Sequence, residues 1–352
     1  MSRYKIALAG AGVIGRHHGL VVSQLVSRLE LVAVADVVVE RAATLTSVHG
    51  GRPYSSLGDA LAAEEIDIVV VCTPTGLHGP VAIEALAAGK HVIVEKPAEI
   101  TVARTDEIIR ARDKAGKMVT VISQHRFDPS TVRVLEAISA GEFGRVTSGI
   151  AAIDWWRGQS YYDSGDWRGT WDLDGGGALM NQGVHTVDLL VAALGRPVEV
   201  FAYAGTLAHE RIEVEDVAAG VVRFESGALG VLHATTSAYP GLSARLHVHG
   251  DRGSAVIDND ELAFFHATPV GAAIEDRLMG GTQTLSGADS GSVAAADPGS
   301  LSDAHRRQYL NFLGALDGTE PLVVDLETNR QSIAVITGAY ESARTGKPVK
   351  LA

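Results

Sequence analysis

Five short apolar runs punctuate the first 122 residues: KIALAG (5–10), ELVAVAD (30–36), DIVVVC (67–72), HVIVE (91–95) and MVTVI (118–122). Each is nearly continuous in apolar side chains, the pattern of strands covered on both faces. Stretches at 14–28, 39–48, 57–64, 78–89 and 101–116 lie between and beyond them and read as helices. Repeated βα units predict a parallel, doubly wound sheet with right-handed crossovers. After about residue 125 the grammar changes. A helix near 129–141 ends at Gly141, followed by a strand-like run (145–156), a Trp/Tyr/Gly-rich loop (157–177) and a helix (178–194). Alternating runs at 198–207, 214–225, 228–237, 243–250 and 253–258 predict a mainly antiparallel sheet with one solvated or interface face. Residues 266–303 hold almost no large apolar side chain and read as a long loop; helices near 303–317 and 327–345 close the chain. The expected division is 1–124 and 125–352, with the last helix packing back on the first domain.

Composition narrows the partners. The 352 residues carry a net charge of −12, against a nucleic acid or an anionic membrane as main partner. No apolar stretch reaches the ~18–20 residues of a membrane span. The single cysteine, Cys72, excludes an internal disulfide and fits a reducing compartment. Met1 leads almost directly into the first apolar run, without the ordered regions of a secretory signal. The expectation is a cytoplasmic protein.

Chemistry gathers where strands end. GAGVIG (10–15) satisfies G-x-G-x-x-G, follows a strand, opens a helix, and is trailed by Asp36 at the end of the second strand. That context is the dinucleotide fingerprint of a Rossmann fold. Gly10 permits the tight turn, Gly12 admits a pyrophosphate to the backbone, and Gly15 allows close helix–strand packing, with Val13 and Ile14 opening the helix. Asp36 would accept from the ribose hydroxyls. It is followed by Val37, and a carboxylate repels a 2′-phosphate, so NAD is expected over NADP, with Arg41 able to soften the preference. His17 and His18 are read as structural, since adjacent helix positions diverge by ~100°. Thr73, Pro74 and His78, then Glu95 and Lys96, and finally Gln124 follow later strands on the same sheet edge and join the cofactor set. Lys96 would project beside the nicotinamide.

GGGALMNQGVHTVDLL (175–190) is the second constellation. Asn181, His185 and Asp188 share one helix face, and an imidazole titrates where proton transfer at neutral pH needs it. Asp188 is placed to orient or charge-stabilise its neighbour; the three glycines suggest a flexible entry. A zinc site would need further ligands, so no metal is expected.

The glycine loop, VEKPAE (94–99) and GGGALMNQGVH (175–185), in this order, with QHRFDP (124–129), WRGTW (167–171) and AYESARTGKPVKL (339–351), resemble the Gfo/Idh/MocA family of oxidoreductases, which includes glucose–fructose oxidoreductase and inositol dehydrogenase. The resemblance implies a Rossmann domain followed by an α/β domain whose open, largely antiparallel sheet is commonly an oligomer interface, here of a dimer or tetramer. It implies sugar, cyclitol or nucleotide-sugar substrates, Lys96 contacting substrate hydroxyl and nicotinamide ribose, and His185 as acid/base. Inositol dehydrogenases carry Asp four residues before that histidine. Asn181 stands here, so a sugar is expected before inositol itself. Asn181, Arg126, Trp167 and Arg168 complete the expected substrate set. Two alternatives remain open: an NAD-dependent glycosidase working through transient ring oxidation, and a non-catalytic dinucleotide-binding regulator.

Overall fold

The computed structural model describes residues 3–274 and 298–351. Two compact units emerge: residues 1–124, 171–175 and 298–333 form the first, and 125–170, 176–297 and 334–352 the second. The chain therefore does not divide by one cut after residue 124. The segment 298–333 belongs with the first unit because its apolar residues fill that unit's core.

In the first unit, strands β1 (Tyr4–Ala9), β2 (Leu29–Ala35), β3 (Arg52–Tyr54), β4 (Ile68–Val71), β5 (His91–Val94) and β6 (Val119–Val121) form a parallel sheet of order β3-β2-β1-β4-β5-β6. This is the Rossmann order, with its switch point between β1 and β4. Helices α1 (Val13–Gln24), α2 (Val39–His49), α3 (Leu57–Ala63), α4 (His78–Ala87) and α5 (Val102–Ala115) connect the strands. Strand alternation sends Ile6, Leu8, Val70 and Ile93 to one side, where they pack with Val21 and Val22 of α1. Ala7, Ala9, Val71 and Val94 go to the other, against Ala82 and Leu86 of α4 and Ile108 of α5. The edge strand β3 lies in a short polar stretch whose periodicity does not announce it.

The second unit holds α6 (Pro129–Ser139), β7 (Val146–Asp154), the single turn α7 (Gln159–Tyr162), α8 (Val184–Leu194), β8 (Pro197–Gly205), β9 (Val217–Phe224), β10 (Leu229–Thr235), β11 (Ala244–Gly250), β12 (Gly253–Asp258) and β13 (Glu261–Ala267). Two helices follow. α9 (Pro298–Leu316) gives Tyr309, Phe312 and Leu313 to the core on the α1 side of the first unit. α10 (Leu326–Thr345) gives Leu326 and Ile333 to the first unit and Val335, Ile336 and Ala339 to the second. β14 (Val349–Lys350) completes an eight-stranded sheet of order β13-β12-β11-β7-β10-β9-β8-β14. It is antiparallel except between β7 and β10. β13 shortens the expected 266–303 loop from its start, and α9 shortens it from its end; residues 275–297 lie outside the described residues. Asn259 and Asp260, both at positive φ (47° and 66°), turn β12 into β13, the backbone a two-residue hairpin of this hand requires. Among the described residues no helix is long and apolar enough to cross a membrane.

Candidate functional site

The glycine loop is built by contact, not only by flexibility. Gly10 sits at φ +106°, and a Cβ there would lie 2.5 Å from the Cys72 carbonyl oxygen at the end of β4. A Cβ on Gly15 would lie 2.1 Å from the Gly10 carbonyl oxygen, so α1 can start this close to β1 only with glycine. A Cβ at Gly12 would meet nothing within 4 Å, leaving open space at the helix N-terminus. No side chain caps α1, and Val13, its first residue, is exposed. N–H groups left in this way at a helix start are suited to receive an anion. Asp36 is fixed beside them: one carboxylate oxygen accepts from the Ala11 N–H and the other from the Val38 N–H, each at 2.8 Å. A carboxylate has about four acceptor positions, so capacity remains for ribose hydroxyls. Thr73 Oγ1, just past β4, is buried with no hydrogen-bond partner among the described residues. Open space over bare N–H groups, an anchored acceptor and an orphaned hydroxyl fit a bound dinucleotide.

Lys96 follows β5 on the same edge, and its peptide bond to Pro97 is cis. Its N–H donates to Glu95 Oε2 (2.9 Å). Glu95 is buried, with His18 Nε2 at 2.8 Å and His305 Nε2 at 3.7 Å from its other oxygen. Since an ionised carboxylate only accepts, His18 donates through Nε2, and the Tyr309 hydroxyl donates to its Nδ1 (2.8 Å). Burial alone would raise the Glu95 carboxyl; the bond from His18 and the nearby His305 imidazole outweigh it and hold Glu95 well below the ordinary carboxylate range. Burial pushes the His18 imidazolium toward neutrality. The neighbouring His17 turns its ring to His305 (centroids 4.5 Å), and burial next to the two imidazoles lowers it to about 4. His78 bridges the Thr73 carbonyl (2.9 Å) and the Pro97 carbonyl (2.7 Å), tying the β4 loop to the Lys96 loop. Pro74 precedes the short 3-10 turn that leads into α4. Gln124 is buried just after β6.

In the second unit the glycines of the entry serve close approach rather than flexibility. A Cβ on Gly177 would lie 1.7 Å from the Glu215 carbonyl oxygen, and one on Gly176 2.2 Å from the Tyr340 hydroxyl. The buried Glu215 side chain accepts from the N–H groups of Gly177 (2.9 Å) and Leu179 (2.8 Å) and from Tyr340 (2.9 Å). Burial outweighs these bonds and lifts its carboxyl to about 7. Residues Ala178–Gly183, with Asn181, form a π-helical turn that runs into α8 and His185.

One expectation needs correction. Arg126 is not available to line a pocket: it is buried and forks onto Asp188 (Nε–Oδ2 2.6 Å, Nη2–Oδ1 2.8 Å). That bidentate pair ties α8 to the segment that carries Arg126. His125 lies beside His185, with ring centroids 5.0 Å apart and planes at 84°. His125 Nδ1 lies 3.0 Å from Asp128 Oδ2 and 2.9 Å from Asp260 Oδ1. Burial disfavours its charge, but the two carboxylates outweigh burial and push it up to about 9. Spacing alone does not single out this trio, because Asp260 comes from the β12–β13 hairpin, far along the chain. Trp167 and Arg168 do lie together, the guanidinium 4.4 Å from the ring centroid.

Comparison with known proteins places both units. Residues 4–123 match the oxidoreductase family with an NAD-binding Rossmann fold, and residues 131–256 match the GFO/IDH/MocA C-terminal domain. The WlbA dehydrogenase of Bordetella pertussis, solved with NADH and UDP-GlcNAcA, is 32% identical over 99% of each chain, with a TM-score of 0.85. The WlbA dehydrogenase of Chromobacterium violaceum, solved with the same two ligands, is 32% identical over 100% of this chain and 97% of that one, also at 0.85. The myo-inositol 2-dehydrogenase of Thermotoga maritima is 29% identical over 268 residues, 72% of this chain and 73% of the relative.

Proposed function

This chain belongs to the GFO/IDH/MocA family of NAD-binding oxidoreductases, and from that premise we propose that it oxidises a secondary hydroxyl of a sugar or sugar derivative to a ketone. NAD+ bound at the glycine loop, Asp36 and Thr73 supplies the hydride acceptor. His185 takes the hydroxyl proton. Lys96 stabilises the developing alkoxide with its ammonium. Asn181, a neutral amide, hydrogen-bonds a substrate hydroxyl. Glu95 and His78 are positioning residues: the first holds the Lys96 backbone, the second joins the loops on either side of it.

The observation that carries the reading is Lys96 at the carboxyl end of β5, on the sheet edge that holds the glycine loop, with its N–H on a buried, ionised Glu95. The UDP-GlcNAcA bound by two full-length relatives supports a sugar derivative as substrate. The test is a panel of sugars, cyclitols and nucleotide sugars with NAD+ and NADP+ in parallel, followed at 340 nm. NADH formed from NAD+ with a sugar supports the reading. Glycoside cleavage without net NADH would replace it with the transient-oxidation alternative, and NAD binding without any turnover would leave the regulator.

We also propose that the second sheet's outward face joins subunits. Phe201, Val221, Val231 and Ile150 stand in register across β8, β9, β10 and β7, with Val221 52% and Val231 43% exposed. An apolar row of this kind on an open sheet marks an interaction surface. Light scattering of the wild type should give a dimer or tetramer, and Val221→Asp with Val231→Asp should give monomers; a monomeric wild type overturns this.

A further inference from the structure

Among the arginines of the second unit, Arg126, Arg196, Arg211 and Arg245 each hold a carboxylate. Arg157 and Arg168 do not: their partners among the described residues are neutral. Arg157 donates to the Trp156 carbonyl and the Gln182 amide oxygen, each at 3.2 Å, and Arg168 to the Tyr161 hydroxyl at 2.7 Å. Both guanidinium carbons sit over the ring of Tyr161, at 5.5 Å for Arg157 and 4.3 Å for Arg168. Arg157 also stacks on Trp155 at 4.9 Å and Arg168 on Trp167 at 4.4 Å. Stacking immobilises each planar fork while leaving most of its five N–H donors unspent. Asp163, on the same segment, is taken by Arg211 and does not neutralise them. The frame adjoins the proposed proton-transfer face: Gln182 accepts from Arg157 and donates to the Tyr161 hydroxyl (3.1 Å) and to Asn181 Oδ1 (3.3 Å), one turn before His185.

We propose that Arg157 and Arg168, held on Tyr161, form an anion clamp that takes a carboxylate or phosphate borne by the sugar and selects anionic substrates over neutral polyols. The proposal rests on the dehydrogenase reading only for its place beside His185. Two guanidiniums on neutral partners are the donor set for a planar or tetrahedral oxyanion. A neutral polyol would leave both charges unmatched.

The test separates binding from turnover. Trp155 and Trp167 lie under the clamp, so ligand binding can be followed by their fluorescence, with NADH binding as the control for folding. Four probes distinguish the anion's source: UDP-N-acetylglucosaminuronic acid, UDP-N-acetylglucosamine (diphosphate alone), N-acetylglucosaminuronic acid (carboxylate alone) and N-acetylglucosamine (neither). At least one anionic probe should bind ~10-fold or more tightly than the neutral sugar. Arg157→Gln and Arg168→Gln should each remove about that factor, with NADH affinity unchanged. Arg→Lys variants, which keep charge without the fork, should recover part of the loss and stand in where a glutamine variant loses NADH binding. Wild-type affinity for anionic probes in the variants, or equal binding of the neutral sugar by the wild type, overturns the clamp. Arginine-dependent binding without NADH formation from any probe overturns the dehydrogenase reading and leaves the clamp standing.

Discussion

The two units solve one problem with opposite signs. In the first, a buried carboxylate, Glu95, is kept ionised by imidazoles and sits next to Lys96. In the second, a partly buried imidazole, His125, is kept charged by carboxylates and sits against His185. Both place a fixed charge beside a residue proposed to handle the substrate's proton or developing charge. They differ in how they are assembled. Glu95 shares its strand end with Lys96, so local chain geometry brings the pair together. His125 depends on Asp128 at the start of α6 and on Asp260 from a hairpin more than a hundred residues away. A buried charge survives only where hydrogen bonds replace its lost hydration.

The largest expected effect is catalytic. His185→Ala should lower kcat by ~10²–10⁴-fold while NADH affinity, measured by fluorescence, stays at the wild-type value; loss of cofactor binding would make His185 structural. Lys96→Ala should cost at least ~10²-fold in kcat and, because the lysine stands on the cofactor edge, should weaken NAD binding as well; near-normal turnover removes its role. Glu95→Gln should act through Lys96. It keeps the side chain's shape and removes its charge, and should lower kcat by about 10-fold, as expected for a lost charge-assisted hydrogen bond. An unchanged kcat would leave Glu95 a purely structural group.

The smallest effects should appear in stability, on opposite sides of neutrality. Glu95's carboxyl is depressed in the fold, so its contribution is present above its unfolded value of 4.5 and lost as pH falls below it. His125 is raised from 6.5 to about 9, so its contribution is full below 6.5 and lost as pH rises through about 9. The midpoint of thermal unfolding should fall at both extremes. Glu95→Gln should flatten only the acid side. Asp128→Asn with Asp260→Asn should flatten only the alkaline side, and an unaltered alkaline limb in that variant would show that His125 is not the charged group.

Much of the first unit was legible because its signals are local. Gly10, Gly12, Gly15 and Asp36 serve a motif whose spacing follows from one strand, one turn and one helix, and the apolar runs of β1, β2, β4, β5 and β6 mark the strands directly. β3 escaped because three residues at an edge bury too little to leave a pattern. In the second unit, Asn181 and His185 were visible as neighbours on one helix. Arg126 was visible as a residue but not as a partner of Asp188, since nothing in either segment encodes the other.

By itself the sequence determined where strands end, which helix start can receive a phosphate, and which helix carries the imidazole, because those properties arise within a few residues of chain. Tertiary structure alone decided which charges are spent and which are left to act. It closed Arg126 onto Asp188, set His125 between Asp128 and Asp260, and left Arg157 and Arg168 on neutral aromatic partners. The physical reason is that a side chain's charge state and hydrogen-bond capacity depend on burial and on partners brought from distant segments.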